Sequence, residues 1–482
     1  MKRLIQSKRA QVILFLLLAM TVTFLVLGYY STRKLPVYQY RVSAEVQHCE
    51  VSTIKSEQFC THLPLVIIDT SNSNINETRD TVGSIRLVNN ENGHNHFDGI
   101  AALESHIRIK AEDIYFSDLD KKQYKITLVD ANDDITTISQ SVLGMPAESE
   151  WILDGMATDM SLLRNYLMHN LADEIMAKEW TPQVQYCELF LNGEYQGIYL
   201  MSESVKVAPN RLNIIKTTEQ SATTGYLLKR EQLSDANNGL VSFGIYAKKT
   251  FGSLIIIYPD KDELTAAQEQ YILNEVSSFE KALYSLDYDN SKDGYAKWID
   301  VRSFVDYFII NEFALNFKAE DDDTYIYKNV GGKLEMGPVW SFDNSYNNYM
   351  IYDLHDVYIE RSNWYNMLVR DDAFVELIIK RYHDLRKNIL KEDRIIQMID
   401  NTVEWLGPAI DRNFEVWGDL EDEKLSYDSD QNSFVNGQTF HNHEEALKQL
   451  KVCIVTRGEF LDEYIVILRQ FSAESAVKEW NN

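Results

Sequence analysis

Acidic residues at two places in the sequence have the types and the spacing of a divalent-cation site. Glu320-Asp321-Asp322-Asp323 is a run of four carboxylates entering a predicted strand, and Asp343 follows the next predicted strand by a few residues. Mg²⁺ and Ca²⁺ prefer clustered carboxylate oxygens, and carboxylates from two neighbouring segments can hold the metal of a nucleotide. The alternative is a solvated acidic turn, which most such runs form.

A sixth carboxylate, Glu312, lies on the apolar face of a helix predicted over residues 300–316. It stands three and four residues after Ile309 and Phe308, and side chains at these spacings share one helix face. A carboxylate on a buried face must be paired, protonated or bound to a metal. Glu312 is therefore a candidate metal ligand, and the alternative is an ion pair with an Arg or Lys in the core.

Charge and motif content exclude several other kinds of chemistry. Of the 482 residues, 73 are acidic and 47 are basic, which gives a net charge of −26. Such a chain is repelled by a phosphate backbone, so we expect no nucleic-acid partner. The sequence has no P-loop or Rossmann loop, no G-x-S-x-G elbow and no H-E-x-x-H pair.

The elements that would position these residues are strands first and helices later. Short apolar runs with β-branched residues dominate residues 65–129, and Asn192-Gly193 between two alternating runs predicts a β-hairpin. Long amphipathic helix patterns follow at Leu264–Leu286 and Asp300–Asn316. An α+β fold is predicted, with a β-rich N-terminal part and a helical C-terminal part.

The N-terminal segment predicts a membrane anchor. Four basic residues precede an uncharged apolar stretch, Val12–Tyr30, which is close to the roughly 20 residues that cross a bilayer as a helix. The basic flank predicts a cytoplasmic N-terminus and a main domain outside the cytoplasm, in the periplasm or on the cell surface. The alternative is a cleaved signal peptide. Cys49 and Cys60 are close in sequence, and an oxidising compartment would permit a disulfide between them.

The order and spacing of several motifs resemble the CotH kinase family, which is named after spore coat protein H. The resemblance extends from about residue 65 to about residue 390. Its main motifs are KKQYKITL (121–128), LGMPAESEWIL (143–153), DMSLLRNYLMHNLADEIM (159–176), ELFLNGEYQGIYLMSESVK (188–206), IDVRSFVDYFIINEFALN (299–316) and GGKLEMGPVWSFDNSYNN (331–348). Each motif is weak by itself, and the set in this order is specific.

The resemblance implies an atypical protein-kinase-like fold that transfers phosphate from ATP to secreted or coat proteins, with Mg²⁺ or Mn²⁺ as the metal. The residues it implies for nucleotide binding are Lys121, Lys122, Arg164 and Glu203, with Asn165 as the second member of a matched Arg-Asn pair. Glu312 matches the Glu of the family's helix motif. Together with the carboxylate pattern, it assigns catalysis to Asp321, Asp322 and Asp343, and the metal to Asp343, Glu312 and Asp323.

Among the positions that depart from the family pattern, Lys318 and Ser341 stand where the resemblance implies Asp. Lysine cannot accept a substrate proton or hold Mg²⁺ as a carboxylate does. A shift of a few residues would bring Asp321 or Asp322 to the position of Lys318. Two main hypotheses remain open: an active kinase for envelope proteins, and an inactive pseudokinase that binds or assembles them. A structural protein that binds divalent cations is the third.

Three regions follow from these observations. Residues 1–35 are predicted to form a basic tail and transmembrane anchor, residues 36–390 the kinase-like domain, and residues 391–482 a helical C-terminal extension. The predicted partners are the membrane, through the N-terminal helix, and a secreted or envelope protein that is substrate or binding partner.

Overall fold

The computed structural model describes residues 49, 53–90, 93–112, 120–231, 239–317, 319, 323–348, 350–418, 440 and 442–473. The predicted anchor Val12–Tyr30 lies outside the described residues. The candidate catalytic residues Asp321 and Asp322, and the departing residue Lys318, also lie outside them.

The predicted localisation, a single-pass membrane protein with its main domain outside the cytoplasm, needs correction. Within the described residues, no helix combines the length and the apolar character that a bilayer crossing requires. The longest described helix, His443–Tyr464, carries charged side chains along its whole length.

Seven strands of the N-terminal part form one closed sheet. The strands of this part are β1 (Cys60–Thr61), β2 (Leu65–Asp69), β3 (Thr81–Val88), β4 (Asn95–His96), β5 (Leu103–Ala111), β6 (Tyr124–Val129), β7 (Gln140–Val142), β8 (Met145–Glu148), β9 (Glu150–Asp154), β10 (Val184–Leu191) and β11 (Glu194–Glu203). The closed sheet has the order β10-β11-β9-β6-β5-β3-β2, and a parallel pairing of β10 with β2 closes it. Its interior is packed with apolar side chains such as Ile107, Ile126 and Leu153.

The predicted hairpin at Asn192-Gly193 is present and joins β10 to β11. Asn192 and Gly193 have φ angles of 52° and 84°, the left-handed conformation that a two-residue turn of type I′ requires at both positions. Asn192 Oδ1 also accepts a hydrogen bond of 2.8 Å from Thr70 N at the end of β2. The turn therefore joins β10 to β11 and also ties the hairpin to β2.

A second sheet of four strands lies in the C-terminal part. Its strands are β12 (Tyr226–Glu231), β13 (Ser253–Tyr258), β14 (Thr324–Lys328) and β15 (Leu334–Met336). They pair in the order β13-β12-β14-β15, each with an antiparallel neighbour. The segment that follows β15 carries Ser341 and Asp343, so this sheet positions one side of the candidate site.

Helices make up most of the remaining described chain, and the α+β prediction is confirmed. They are α1 (Arg164–Ile175), α2 (Phe243–Tyr246), α3 (Ala266–Leu283), α4 (Val301–Phe313), α5 (Tyr365–Leu368), α6 (Asp372–Arg386), α7 (Glu392–Leu406), α8 (Pro408–Trp417) and α9 (His443–Tyr464). Short 3₁₀ helices lie at Ser56–Gln58, Tyr295–Lys297, Ile359–Arg361 and Ile465–Gln470. Asp300 caps α4, because its side chain accepts a hydrogen bond from Ser303 N.

The last helices supply buried partners to elements much earlier in the chain. Arg412 of α8 forms an ion pair of 2.8 Å with Glu188 of β10, and Arg457 of α9 forms one with Glu312 of α4. All four side chains are almost fully enclosed. Helices α8 and α9 therefore pack as parts of the same interior as β10 and α4.

Candidate active site

Three polar side chains from distant parts of the chain meet in one hydrogen-bonded group, which we call the carboxylate cluster: Asp154, Asn165 and Asp343. Asp154 is the last residue of β9, Asn165 lies in the first turn of α1, and Asp343 follows β15. The Asn165 amide nitrogen donates to Asp154 Oδ2 and to Asp343 Oδ1, both at 2.9 Å. One amide therefore holds two carboxylates together.

Backbone and hydroxyl contacts fix the orientation of this group. Asn165 Oδ1 accepts a hydrogen bond of 2.8 Å from Phe342 N, so the amide cannot turn without losing that contact. Ser341 Oγ donates to Asp343 Oδ2 at 2.9 Å, and Met156 N donates to Asp154 Oδ1 at 2.8 Å. The serine that replaces a family Asp therefore acts as a hydrogen-bond donor to the remaining aspartate.

Burial and neighbouring negative charges raise the proton affinity of both carboxylates of the cluster. Burial, with the negative charge of Asp154 as the next largest cause, raises the pKa of Asp343 to about 7. Burial also raises the pKa of Asp154. Two carboxylates in a poorly solvated site favour a shared proton or a bound cation. Each carboxylate accepts two of its roughly four possible hydrogen bonds in the described contacts, and each residue is half-buried.

A buried lysine lies next to the cluster. Lys121 is 2% exposed, and its amine donates to Ile198 O and to Asn413 Oδ1, both at 2.8 Å. Burial lowers the pKa of this amine to about 7, and the charge of Asp154 acts in the opposite direction. A lysine amine has three donors, so two hydrogen bonds leave one N–H. Lys122, the other predicted phosphate contact, is half-buried.

Arg164 supports the site from behind. Its guanidinium is fully buried and pairs with Asp159, whose carboxylate also accepts from Arg164 N at the start of α1. The same guanidinium donates to Ser345 O at 3.0 Å and to Gln449 Oε1 at 2.8 Å. These contacts join the start of α1, the segment after Asp343, and α9. Arg164 therefore orders the backbone on both sides of the carboxylate cluster.

Glu203, a predicted nucleotide-binding residue, lies in a buried ion pair. Its carboxylate contacts Arg211 at 2.8 Å, with both side chains fully buried, and accepts a hydrogen bond of 3.0 Å from Gln183 N. The Arg211 guanidinium also stacks 4.7 Å above the ring of Trp151. These are the contacts of a structural ion pair that ties β11 to the loop after it.

Two of the three predicted metal ligands have cationic partners. Glu312 pairs with Arg457 and accepts a hydrogen bond of 2.8 Å from Ile359 N, so it adopts the core ion pair that the sequence leaves as the alternative. Asp323 forms an ion pair of 2.7 Å with Lys229. Asp343 is the predicted ligand that the structure places in the carboxylate cluster.

Another set of potential metal-binding side chains lies elsewhere. Within the described part of the chain, atoms of Cys49, Cys60 and His94 lie within 4.8 Å of one another. The two cysteines are joined in a disulfide, the pairing that an oxidising compartment would permit. A thiolate is the form of cysteine that binds metals, so the bridge withholds both sulfurs from an ion.

Sequence reasoning missed two residues of this site. Asp154 ends a strand of three apolar residues and precedes Gly155, and a carboxylate at such a strand end is a signal that the sequence offers. Asn413 gives no local signal, because it is one polar residue in an amphipathic helix. Its contact with Lys121 spans 292 positions of sequence.

The comparison with protein families agrees with this architecture. A family model described as CotH kinase protein matches residues 107–461, which include the carboxylate cluster, Lys121, helix α8 and most of helix α9. A search of curated proteins finds no significant match. The matched region covers most of the chain and contains Asp154, Asn165 and Asp343. The chain belongs to the CotH kinase family.

Proposed function

We propose that this protein is a metal-dependent phosphotransferase that uses ATP with Mg²⁺ or Mn²⁺ and acts on a hydroxyl group of a secreted or envelope protein. The observation that carries the proposal is the carboxylate cluster with Lys121 beside it. Phosphoryl transfer needs little covalent help from a protein and depends on positioning and charge neutralisation. A carboxylate pair for the metal and an amine for the phosphate are the groups that such chemistry requires.

Asp154 can take the place of the carboxylate that is missing at Ser341. The family pattern leads one to expect two carboxylates in the segment after β15, and this chain retains one, Asp343. The fold supplies a second carboxylate from β9, at the other end of the Asn165 amide. Asp154 and Asp343 offer the carboxylate oxygens that Mg²⁺ prefers. A metal ion bound there would neutralise charge on the nucleotide phosphates.

Lys121 is the residue we assign to the phosphate. Its two described acceptors are a backbone carbonyl and a neutral amide, so neither cancels the positive charge of the amine. The third N–H can donate to a phosphate oxygen. Burial strengthens this electrostatic interaction, because the local dielectric constant is lower than that of water.

A second candidate function is a nucleotide-binding scaffold that transfers no phosphate. Ser341 favours it, because the family resemblance implies a carboxylate at this position. Lys318 favours it for the same reason. The two functions share nucleotide and metal binding and differ in the transfer step, so binding and transfer must be measured separately.

The decisive experiment combines thermal unfolding with a transfer assay on the purified protein. At a nucleotide concentration of 100 Kd, binding to the folded state alone adds about 2.7 kcal/mol of stability, a shift of a few degrees in Tm. We expect this shift with ATP plus Mg²⁺ or Mn²⁺, and label from γ-phosphate-labelled ATP on an added protein substrate or on the chain itself. A shift without transfer supports the scaffold. No response with either metal contradicts both functions.

Replacing Lys121 with methionine should weaken ATP binding at least tenfold, because Met keeps the volume of the side chain and removes its charge and donors. Isothermal titration with ATP and Mn²⁺ measures the effect. Lys261→Met is the matched control, since Lys261 is an exposed lysine in the loop before α3. An affinity of Lys121→Met within twofold of wild type would rule out the assignment of Lys121 to the phosphate.

A further inference from the structure

Helix α8 reaches the lysine of the candidate site through one side chain. Asn413 is 1% exposed, and its Oδ1 accepts hydrogen bonds from Lys121 Nζ at 2.8 Å and from Ile198 N at 3.0 Å. Both donors lie in the N-terminal part of the chain, one just before β6 and the other in β11. The side-chain oxygen of Asn413 therefore contacts both the Lys121 amine and strand β11. The same strand carries Ile198 O, which is the other acceptor of the Lys121 amine.

The strand β11 is shaped to admit Asn413. The pairing of β10 with β11 shifts between Leu189 and Phe190, which face Gly197 and Tyr195, so Gln196 is the extra residue of a β-bulge. Gly197 has a φ of 86°, and a Cβ at this position would lie 2.5 Å from Asn413 Oδ1. Glycine is required here twice, for the backbone conformation and for the approach of the asparagine.

A second contact holds α8 on the same bulge without touching the lysine. Trp417 Nε1 donates to Gln196 O at 2.8 Å, one helical turn after Asn413. A Cβ at Gly197 would also lie 3.1 Å from the Trp417 ring. The helix is therefore anchored on β11 by two side chains, of which Asn413 has the contact with Lys121.

A lysine side chain has four methylene groups and therefore many rotamers. Its charged amine can interact with a bound phosphate only when the side chain adopts the rotamer that places the amine beside that phosphate. We propose that Asn413 is the positioning residue of Lys121: it fixes the amine beside the carboxylate cluster through a neutral acceptor that leaves its charge uncancelled. In protein kinases the lysine that contacts the nucleotide phosphates is held by the carboxylate of a glutamate, which is a charged acceptor. The consequence for a phosphate ligand rests on the proposed function, whereas the position of the amine does not.

The first test follows the amine itself and needs no nucleotide. Lys121 and Lys122 are adjacent, so acetylation by acetic anhydride, quantified by mass spectrometry of their shared peptide, gives a ratio with an internal reference. In Asn413→Ala we expect the Lys121-to-Lys122 labelling ratio to rise at least fivefold, because the amine loses an acceptor and its enclosure. Asn413→Asp keeps an acceptor oxygen, so its labelling ratio should not rise above that of wild type.

Trp417→Phe separates positioning from a general loosening of α8. This variant loses the hydrogen bond to Gln196 and lies on the same helix, so it should lower Tm and leave the labelling ratio within twofold of wild type. An unchanged ratio in Asn413→Ala, or an equal rise in Trp417→Phe, would overturn the positioning role whatever the nucleotide result.

The second test joins the positioning to the ligand. Isothermal titration with ATP and Mn²⁺ should show an affinity at least tenfold lower in Asn413→Ala, and an affinity within twofold of wild type in Trp417→Phe. If the wild-type protein binds no nucleotide while the labelling ratio rises as expected, the proposed function fails and the positioning of Lys121 stands. If wild type binds and Asn413→Ala binds equally well, the positioning has no consequence for the ligand and the inference fails.

Discussion

Replacing Arg457 with methionine should lower the free energy of unfolding by about 3–5 kcal/mol, because it leaves the carboxylate of Glu312 buried without its cation. Arg457 is fully buried on α9 and pairs with Glu312 through Nη2. Its Nε also donates to Glu312 O at 3.1 Å, and its Nη1 donates to Leu354 O at 2.9 Å. Methionine fills much of the volume and replaces none of these donors.

A neighbouring carboxylate makes the loss larger. Glu360 is 2% exposed, and burial together with the charge of Glu312 raises its pKa to about 7. Burial also raises the pKa of Glu312, and Arg457 opposes that rise. Without the arginine, two enclosed carboxylates face each other with less compensation. The folded state must then take up a proton or admit water.

Urea unfolding at pH 7 measures this prediction. Arg469→Met is the matched control, because Arg469 forms an exposed ion pair with Glu376 and its loss should leave the unfolding midpoint unchanged. The double variant Arg457→Met with Glu312→Gln should recover part of the loss, since the second change removes the uncompensated charge. A midpoint for Arg457→Met equal to that of the control would refute the structural role of the pair.

Replacing Asp343 with asparagine should have opposite effects on stability and on metal-dependent binding. Without metal, a neutral amide at this position removes the cost of burying a charge and the repulsion with Asp154, and we expect the variant to be more stable than wild type by roughly 2 kcal/mol at pH 8. The affinity for ATP with Mn²⁺ should fall at least 100-fold, because one of the two carboxylates that would hold the ion is gone. A merely structural aspartate would not combine these two results.

The raised pKa of Asp343 also determines how the stability of the wild-type protein changes with pH. The folded-state pKa of Asp343, about 7, lies above the value of about 3.9 for an unfolded chain, so between these values the folded state binds more protons. Asp343 therefore makes wild-type stability without metal fall as the pH rises from about 4 to about 7. The variant Asp343→Asn lacks this contribution, and its advantage over wild type should vanish below about pH 4.

Asp353→Asn is the control for both measurements, since Asp353 is an exposed aspartate in the loop ten residues later. It should change neither the pH dependence of Tm above about pH 4, where Asp353 is ionised in both states, nor the affinity for ATP with Mn²⁺. An Asp343→Asn protein that is less stable than wild type without metal at pH 8 would contradict the repulsion between the two carboxylates.

Local patterns predicted the elements well, because they depend on residues close in sequence. The hairpin at Asn192-Gly193 follows from the conformations of a few neighbouring residues. The face of α4 also predicted the burial of Glu312. The partner of Glu312 could not be predicted, because Arg457 lies 145 positions away and nothing local distinguishes it from other arginines.

The site was predicted in part for the same reason. Asp343, Lys121 and the Arg-Asn pair lie in motifs, and the structure places Asp343, Lys121 and Asn165 together. Asp154 joins them only because β9 ends beside α1, which is a consequence of strand order. Glu203 has the charge of a possible ligand-binding residue, but its position could not be predicted from the sequence. In the structure it is buried and forms an ion pair with Arg211.

The parallel pairing that closes the first sheet has a consequence for biosynthesis. One edge of strand β2 stays unpaired until β10 has been synthesised, because Leu65–Ile68 of β2 pair with Glu188–Leu191 of β10. A chain that has emerged as far as β9 therefore has two open strand edges, at β2 and at β9, and open edges recruit other chains. Nascent or truncated chains that end before Val184 should aggregate, whereas chains that include the β10–β11 hairpin can seal both edges in one step.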